Sequence, residues 1–194
     1  MRAPRIIQLR GTSGSGKSTI VRNILDNHFP GLQRVPVFAE GRKQPLLYQC
    51  MDKNGQPALA VIGHYESPCG GTDTINGYDR IYQLVEEQFN LGFSVLFEGL
   101  LSSDERNRTI KLNKDTQSGV TCILLDTPVE KCIDSVNERR RAKDPEKPDV
   151  NPKNTIMKHR STKRTLQVLQ QNGINCMTAS REEAAQLVTQ LLGL

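Results

Sequence analysis

The sequence has little of what several protein classes require. Tryptophan is absent, and four tyrosines and five phenylalanines are too few for extensive stacking of bases along a nucleic-acid strand. No apolar run approaches the roughly 18 residues of a membrane-spanning helix, and residues 1–5 do not resemble a secretory signal. The five cysteines are odd in number and lack a CxxC pair. This disfavours a disulfide framework or a zinc site and favours a reducing cytoplasm.

The residues that are present predict one globular α/β domain over 1–194. Its length suits a single domain, and 36% hydrophobic residues with 15 glycines suffice for a core, which excludes a disordered or fibrous chain. Apolar strand candidates alternate with amphipathic helices, so we expect a central, mostly parallel sheet flanked by helices. The strand candidates are residues 5–10, 35–38, 93–98, 120–125 and 174–178, with a β-hairpin at 46–62 around an Asn-Gly turn.

Local signals place several helix ends. Capping boxes predict helix starts where a serine or threonine is followed three residues later by a glutamate, and Pro-Gly or Asn-Gly pairs predict helix ends. The capping boxes are Ser102 with Glu105, Thr127 with Glu130, and Ser180 with Glu183. The pair Pro30-Gly31 predicts a helix end.

The most specific motif is a phosphate loop, residues 11–18, which fits G-x-x-x-x-G-K-[ST] in full. A short strand precedes it and an amphipathic helix follows, so its backbone amides and the helix N-terminus can bind the phosphates of a nucleotide. We expect Lys17 to reach the β- and γ-phosphates and the Ser18 hydroxyl to bind Mg²⁺. The predicted nucleotide-binding residues are Gly11, Thr12, Ser13, Gly14, Ser15, Gly16, Lys17, Ser18 and Thr19.

Other nucleotide-binding classes fit less well. A GTPase needs a base-reading N-K-x-D, and the nearest match, Asn113-Lys114-Asp115, is one residue short. The D-x-x-G match at 52–55 falls in the predicted hairpin turn. A motor ATPase is usually larger, so a small phosphotransferase remains.

These residues resemble the P-loop kinase superfamily. The resemblance implies that an acid at the end of a buried strand holds magnesium. Here that acid is Glu98, which would bind the ion together with Ser18. It also implies an arginine-bearing lid that closes over the phosphates, here at about 137–153, with Arg139 and Arg140 stabilising the transferred group. ATP would be the phosphoryl donor.

The acceptor hydroxyl needs a group that orients it and takes its proton. Asp73 is the preferred candidate because the glycines of Gly70-Gly71-Thr72-Asp73 let the backbone bring it close to a substrate. His64 and Asp79 are alternatives. Asp73 can also be explained as a turn cap, and Asp79 as an acid favoured at a helix start.

Positive charge is concentrated in residues 139–164, called here the basic segment. It contains ten lysines and arginines against three acids, whereas the other 168 residues carry a net charge of −2. Such a segment suits a polynucleotide partner. The alternative is a solvated, charge-rich lid that has no partner.

With the Gly-Gly-Thr-Asp loop and the basic segment, the chain is most similar to bacteriophage kinases that phosphorylate 5-hydroxymethyluracil in DNA. That resemblance implies the hydroxymethyl group as acceptor, Asp73 as general base, a target base flipped out of the duplex and action in the host cytoplasm. Alternatives are a nucleoside or deoxynucleotide monophosphate kinase, another small-molecule kinase, or a nucleotide-gated binding module without transferase activity.

Overall fold

The fold is built on a seven-stranded sheet, in a computed structural model that describes residues 3–29, 33–67, 70–99 and 103–194. The strand order is β2-β3-β4-β5-β1-β6-β7. The last five strands in this order, β4, β5, β1, β6 and β7, are parallel to one another. Strand β3 is antiparallel to both of its neighbours, β2 and β4. The strands are β1 (Ile6–Arg10), β2 (Arg34–Val37), β3 (Leu47–Met51), β4 (Pro57–Ile62), β5 (Ser94–Glu98), β6 (Val120–Leu125) and β7 (Asn175–Ala179).

Helices cover both faces of this sheet. One face packs against α1 and α6 and the other against α2, α3 and α5, and each face has its own apolar core. This arrangement confirms the predicted α/β fold with a mostly parallel sheet. The helices are α1 (Lys17–His28), α2 (Tyr78–Asn90), α3 (Ser103–Asp115), α4 (Val129–Lys143), α5 (Pro152–Gln171) and α6 (Arg181–Leu192).

The predicted hairpin at 46–62 is present as the antiparallel pair β3 and β4. Its turn is stabilised by the Asp52 side chain, which accepts hydrogen bonds from the amides of Asn54 and Gln56. The segment continues into edge strand β2, where Pro36 is tolerated because an edge strand leaves donors unpaired.

The three predicted capping boxes have different outcomes. The box at Ser180 and Glu183 is confirmed, with both reciprocal hydrogen bonds present. The box at Thr127 is wrong: Pro128 is the N-cap of α4, and the Thr127 hydroxyl donates instead to the carbonyl of Ser15, at 2.9 Å. Ser102 lies outside the described residues, as do Pro30 and Gly31.

The segment predicted as a lid, 137–153, begins inside a helix. Helix α4 continues to Lys143 and α5 starts at Pro152, so only residues 144–151 are a connection. That connection is attached to α4 at two points. Arg141 donates to both carboxylate oxygens of Asp149, at 2.8 Å each, and the Val150 amide donates to Asn137 Oδ1 at 2.9 Å.

In the described part of the chain, no helix is long and apolar enough to cross a membrane. Four of the cysteines lie in that part, and all four are free thiols: Cys50, Cys122, Cys132 and Cys176.

Candidate active site

The phosphate loop and Glu98 meet because their strands are neighbours. β1 leads into the loop and β5 ends at Glu98, and the two strands pair in parallel with Leu9 opposite Glu98. In parallel sheets ligands bind at the carboxyl ends of the strands. The topology therefore places the predicted nucleotide-binding loop beside the predicted metal ligand.

The phosphate loop opens α1 with its amides and its lysine in one cradle. Gly16 is the N-cap residue at φ 103°, a conformation that favours glycine. The Lys17 ammonium donates to the Gly11 carbonyl at 2.9 Å and lies 4.0 Å from Glu98 Oε2. The helix N-terminus adds positive potential at the same point. The loop can therefore bind an anion at its centre.

Glu98 is a buried carboxylate with spare bonding capacity. Burial raises its pKa, and the nearby Asp73 carboxylate acts in the same direction; the Lys17 ammonium and the hydroxyls of Ser18 and Tyr65 oppose the rise. Its Oε1 atom is buried and has no hydrogen-bond partner among the described residues. A hard oxygen ligand beside a serine hydroxyl suits Mg²⁺, so Ser18 and Glu98 fit the ion that the kinase fold implies.

Asp73 lies on a 3₁₀ turn, Thr72–Thr74, fixed against the end of β5. The Thr72 hydroxyl donates to the Glu98 carbonyl at 2.9 Å. Arg42 donates to the carbonyl and the hydroxyl of Thr74, at 2.8 and 3.0 Å. These contacts hold the backbone on both sides of Asp73, whose own side chain is exposed.

Gly71 allows this turn to approach the Glu98 carboxylate. It has φ 96°, and a Cβ at this position would lie 3.2 Å from Glu98 Oε1. A side chain here would therefore be strained and would crowd Glu98. Gly71 therefore permits close packing of the turn against Glu98, whereas the predicted approach of Asp73 to a substrate stays a prediction.

One cavity of about 490 Å³ contains these groups. Its walls come from the phosphate loop, the 3₁₀ turn, α4 and the first residue of α6. A nucleotide-sized volume with both signs of charge suits a phosphorylated ligand and a polar acceptor. The charged lining residues are Lys17, Arg22, Arg139 and Arg181 on the positive side and Asp73, Glu98 and Glu138 on the negative side.

The two predicted lid arginines do not face the same cavity. Arg139 lines the active-site cavity and is steadied by a 3.2 Å hydrogen bond from Nε to the Ser135 carbonyl. Arg140 lines a different cavity, between α4 and α5. The separation follows from helix geometry, because consecutive residues point about 100° apart.

Comparison with known proteins identifies the family. A profile of the 5-hmdU DNA kinase family matches residues 3–175. The chain is also 47% identical over 192 residues to the 5-hmdU DNA kinase of Pseudomonas phage PaMx11, which covers 99% of both chains. The chain belongs to the 5-hmdU DNA kinase family. The resemblance predicted from the phosphate loop, the Gly-Gly-Thr-Asp loop and the basic segment is confirmed. The chain is a phosphotransferase, as predicted.

More distant relatives extend this family assignment and the fold. The 5-hmdU DNA kinase of Pseudomonas phage M6 is 29% identical over 149 residues, which covers 72% of this chain and 74% of the relative. A solved structure from the PezAT toxin–antitoxin system of Streptococcus pneumoniae has a TM-score of 0.54 at 17% identity. It covers 94% of this chain and 70% of that one, and supports the fold alone.

The two alternatives to Asp73 as general base, His64 and Asp79, lie in other surroundings. The His64 side chain is 2% exposed, and its backbone carbonyl accepts from the Gly71 amide at 2.6 Å. Burial lowers the pKa of the imidazole. Asp79 pairs at the surface with Arg108, at 2.6 Å, which lowers the pKa of that carboxyl. Neither residue lines the active-site cavity, so Asp73 stays the preferred prediction.

Three residues in or beside the cavity were not singled out in the sequence. Arg22 lines the cavity from α1 and donates to the carbonyls of Tyr65 and Ser67, at 3.0 and 2.8 Å. The buried Tyr65 hydroxyl donates to the Ile62 carbonyl at 3.4 Å and opposes the rise in the pKa of Glu98. Arg181 lies against Gly16 of the phosphate loop. One signal could have revealed Arg181, because it lies two residues after the end of β7 and ligands bind at the carboxyl ends of parallel strands.

A buried ion pair beneath the loop was also missed. Glu105 Oε2 accepts from Arg10 at 2.7 Å, and its Oε1 accepts from Gln8 at 3.0 Å. Arg10 directly precedes the phosphate loop, and both charged side chains are at most 2% exposed. Ser102, the partner of Glu105 in the predicted capping box, lies outside the described residues. The Glu105 carboxylate faces the core and connects α3 to β1.

Proposed function

We propose that this chain transfers the γ-phosphoryl group of ATP to the hydroxymethyl group of 5-hydroxymethyluracil in DNA. The observation that carries the proposal is the shared cavity, in which the phosphate loop and the exposed carboxylate of Asp73 line the same 490 Å³ space. The family assignment supplies the class of acceptor. The host cytoplasm, where phage DNA is made and modified, is the proposed place of action.

The donor half of the reaction is assigned to the phosphate loop, residues 11–19. Its backbone amides and Lys17 would bind and orient the phosphates of ATP, and Lys17 would neutralise charge on the bridging oxygens. Ser18 and Glu98 would hold Mg²⁺, which would neutralise negative charge on the phosphates of ATP. Arg139 is close enough to the same space to stabilise charge that spreads over the phosphoryl group.

The acceptor half is assigned to Asp73. Its carboxylate would accept the proton of the hydroxymethyl group as that oxygen forms a bond to the γ-phosphorus. The bond from phosphorus to the β–γ bridging oxygen breaks, and ADP leaves. An exposed carboxylate on a fixed turn suits this task, because a substrate can reach it while its backbone stays in place.

The nucleic-acid half is assigned to the basic segment, 139–164. Five of its basic residues are exposed along α5, the helix that packs beside the phosphate loop. There the ring of His159 lies 3.2 Å from the Thr12 hydroxyl. Cations along this helix would contact backbone phosphates while the target base, flipped from the duplex, enters the cavity. The exposed cations are Lys153, Lys158, Arg160, Lys163 and Arg164.

A labelling experiment tests this proposal. The enzyme is given γ-labelled ATP and Mg²⁺ with duplex DNA that contains 5-hydroxymethyluracil, with a matched thymine duplex, and with free nucleosides and monophosphates. We expect label only in the first DNA, and none with Lys17→Ala, which has lost the phosphate contact. Label only in free nucleosides or nucleotides would contradict the proposal and would indicate a metabolic kinase.

A further inference from the structure

A second cavity of about 310 Å³ adjoins the active site. It lies between α4 and α5, and the connection 144–151 closes one side. Ser13 of the phosphate loop lines both cavities. A ligand here would therefore be a close neighbour of the transferred phosphoryl group while lying outside the cradle formed by Lys17.

The charge of the second cavity is positive. Arg140 enters it from α4 and Lys158 from α5. Asp149, the single acid among the described lining residues, accepts two hydrogen bonds from Arg141. The Nε atom of Arg140 is buried and has no partner among the described residues. The cavity thus offers two cations whose charge is not cancelled within it.

The rest of the lining consists mainly of uncharged polar groups. Asn154 and Thr155 contribute from the first turn of α5, beside Ser13. The wall formed by the connection is fixed, because the Val150 amide donates to Asn137 on α4. Arginine, lysine, serine, threonine and asparagine near a helix start are the groups that typically contact nucleic-acid phosphates.

We infer that the second cavity binds a backbone phosphodiester of the DNA strand, next to the nucleotide that is phosphorylated. The inference rests on the proposed function. A phosphodiester carries one negative charge, which suits two cations beside a neutralised acid. Binding it here would fix the strand relative to the γ-phosphate, because Ser13 separates the two sites.

The alternative source of a phosphate is the nucleotide itself. Lys17, Ser18 and Glu98 line only the first of the two cavities. A phosphate of ATP in the second cavity would therefore lie away from the predicted metal ligands. DNA and nucleotide binding must be measured separately to distinguish the two sources.

The test uses oligonucleotides in which one backbone phosphate at a time, near the 5-hydroxymethyluracil, is replaced by a neutral methylphosphonate. Affinity is measured with the wild-type enzyme, Lys158→Gln, Arg140→Gln and, as a control, Lys53→Gln in the distant hairpin turn. We expect one position where the methylphosphonate weakens wild-type binding at least fivefold. At that position Lys158→Gln and Arg140→Gln should lose most of this effect.

Two further readouts complete the test. Each cavity variant should lower the slope of log Kd against log salt by about 1, and Lys53→Gln should leave it unchanged. A methylphosphonate effect that is equal in all variants would overturn the inference. So would variants that weaken ATP binding and leave the salt dependence of DNA binding intact. Wild-type transfer of label to modified DNA, measured in parallel, separates these results from failure of the proposed function.

Discussion

At the scale of single residues, the cavity contains two carboxylates that differ in their exposure to solvent. Glu98 is buried beside Lys17, with one oxygen that has no partner among the described residues, whereas Asp73 is exposed on the wall of the same cavity. A buried, oriented carboxylate suits a cation, and an exposed one can meet a substrate hydroxyl. The two acids are therefore not interchangeable.

The role of Asp73 leads to a first prediction. Asp73→Asn should lower turnover by roughly 10²–10⁴-fold, because the amide cannot accept the hydroxyl proton, and it should leave ATP affinity unchanged. Asp79→Asn is the matched control, since Asp79 pairs with Arg108 at the surface. Single-turnover transfer and nucleotide binding measure the two effects. Normal turnover in Asp73→Asn would remove it as the base.

Arg139 gives a second prediction at this scale. Arg139→Ala should lower kcat on the order of 10³-fold, because an arginine directed at the transferred phosphoryl group supplies that much in other phosphotransferases. Lys131→Ala, which removes an exposed cation on the same helix outside the basic segment, should retain wild-type turnover. Equal losses in both variants would indicate a general charge effect instead.

At the scale of elements, the acceptor turn depends on contacts that are distant in sequence. Arg42 precedes Thr74 by 32 positions, and Thr72 reaches the end of β5 across 26. The Gly-Gly-Thr-Asp composition predicted a loop that approaches the substrate, and the structure shows the loop packed closely against Glu98 at Gly71. No local pattern could indicate which residues would hold the turn, because those contacts arise only when the strands assemble.

This element leads to a third prediction. Arg42→Ala should lower kcat about tenfold, because loss of its bonds to Thr74 loosens the backbone beside Asp73, and misplacement by about 1 Å costs up to 10² in rate. The effect should disappear in the Asp73→Asn background. Lys43→Ala, an exposed neighbour, serves as control. An additive loss in the double variant would mean that Arg42 acts independently of Asp73.

At the scale of the whole molecule, long-range pairing decides what local signals could not. The order of strands and helices was predictable because apolar runs and helical periodicity are strong along most of the chain. Thr127 was misassigned because its local context matches a capping box, whereas the folded chain uses its hydroxyl to hold the Ser15 carbonyl. The Glu105 carboxylate neutralises Arg10, a partner that no local pattern indicates. Only the tertiary structure reveals those partners.

The Arg10–Glu105 pair leads to a fourth prediction, on stability. Glu105→Ala should lower the free energy of unfolding by about 3–5 kcal/mol, because the Arg10 guanidinium would stay buried without its carboxylate. Denaturant unfolding measures this change, and Glu146→Ala, an exposed acid, should change stability by less than about 0.5 kcal/mol. A loss below about 1 kcal/mol in Glu105→Ala would show that the pair contributes little.

The position of the new phosphate on the DNA tests the proposed reaction most directly. DNA containing 5-hydroxymethyluracil is incubated with the enzyme, ATP and Mg²⁺ and digested to nucleosides, which are separated and identified by mass spectrometry. We predict a nucleoside whose phosphate is on the hydroxymethyl oxygen of the base, and none after incubation with Lys17→Ala. Phosphate at the 5′ ends of the strands, with the hydroxymethyl group unchanged, would contradict the account.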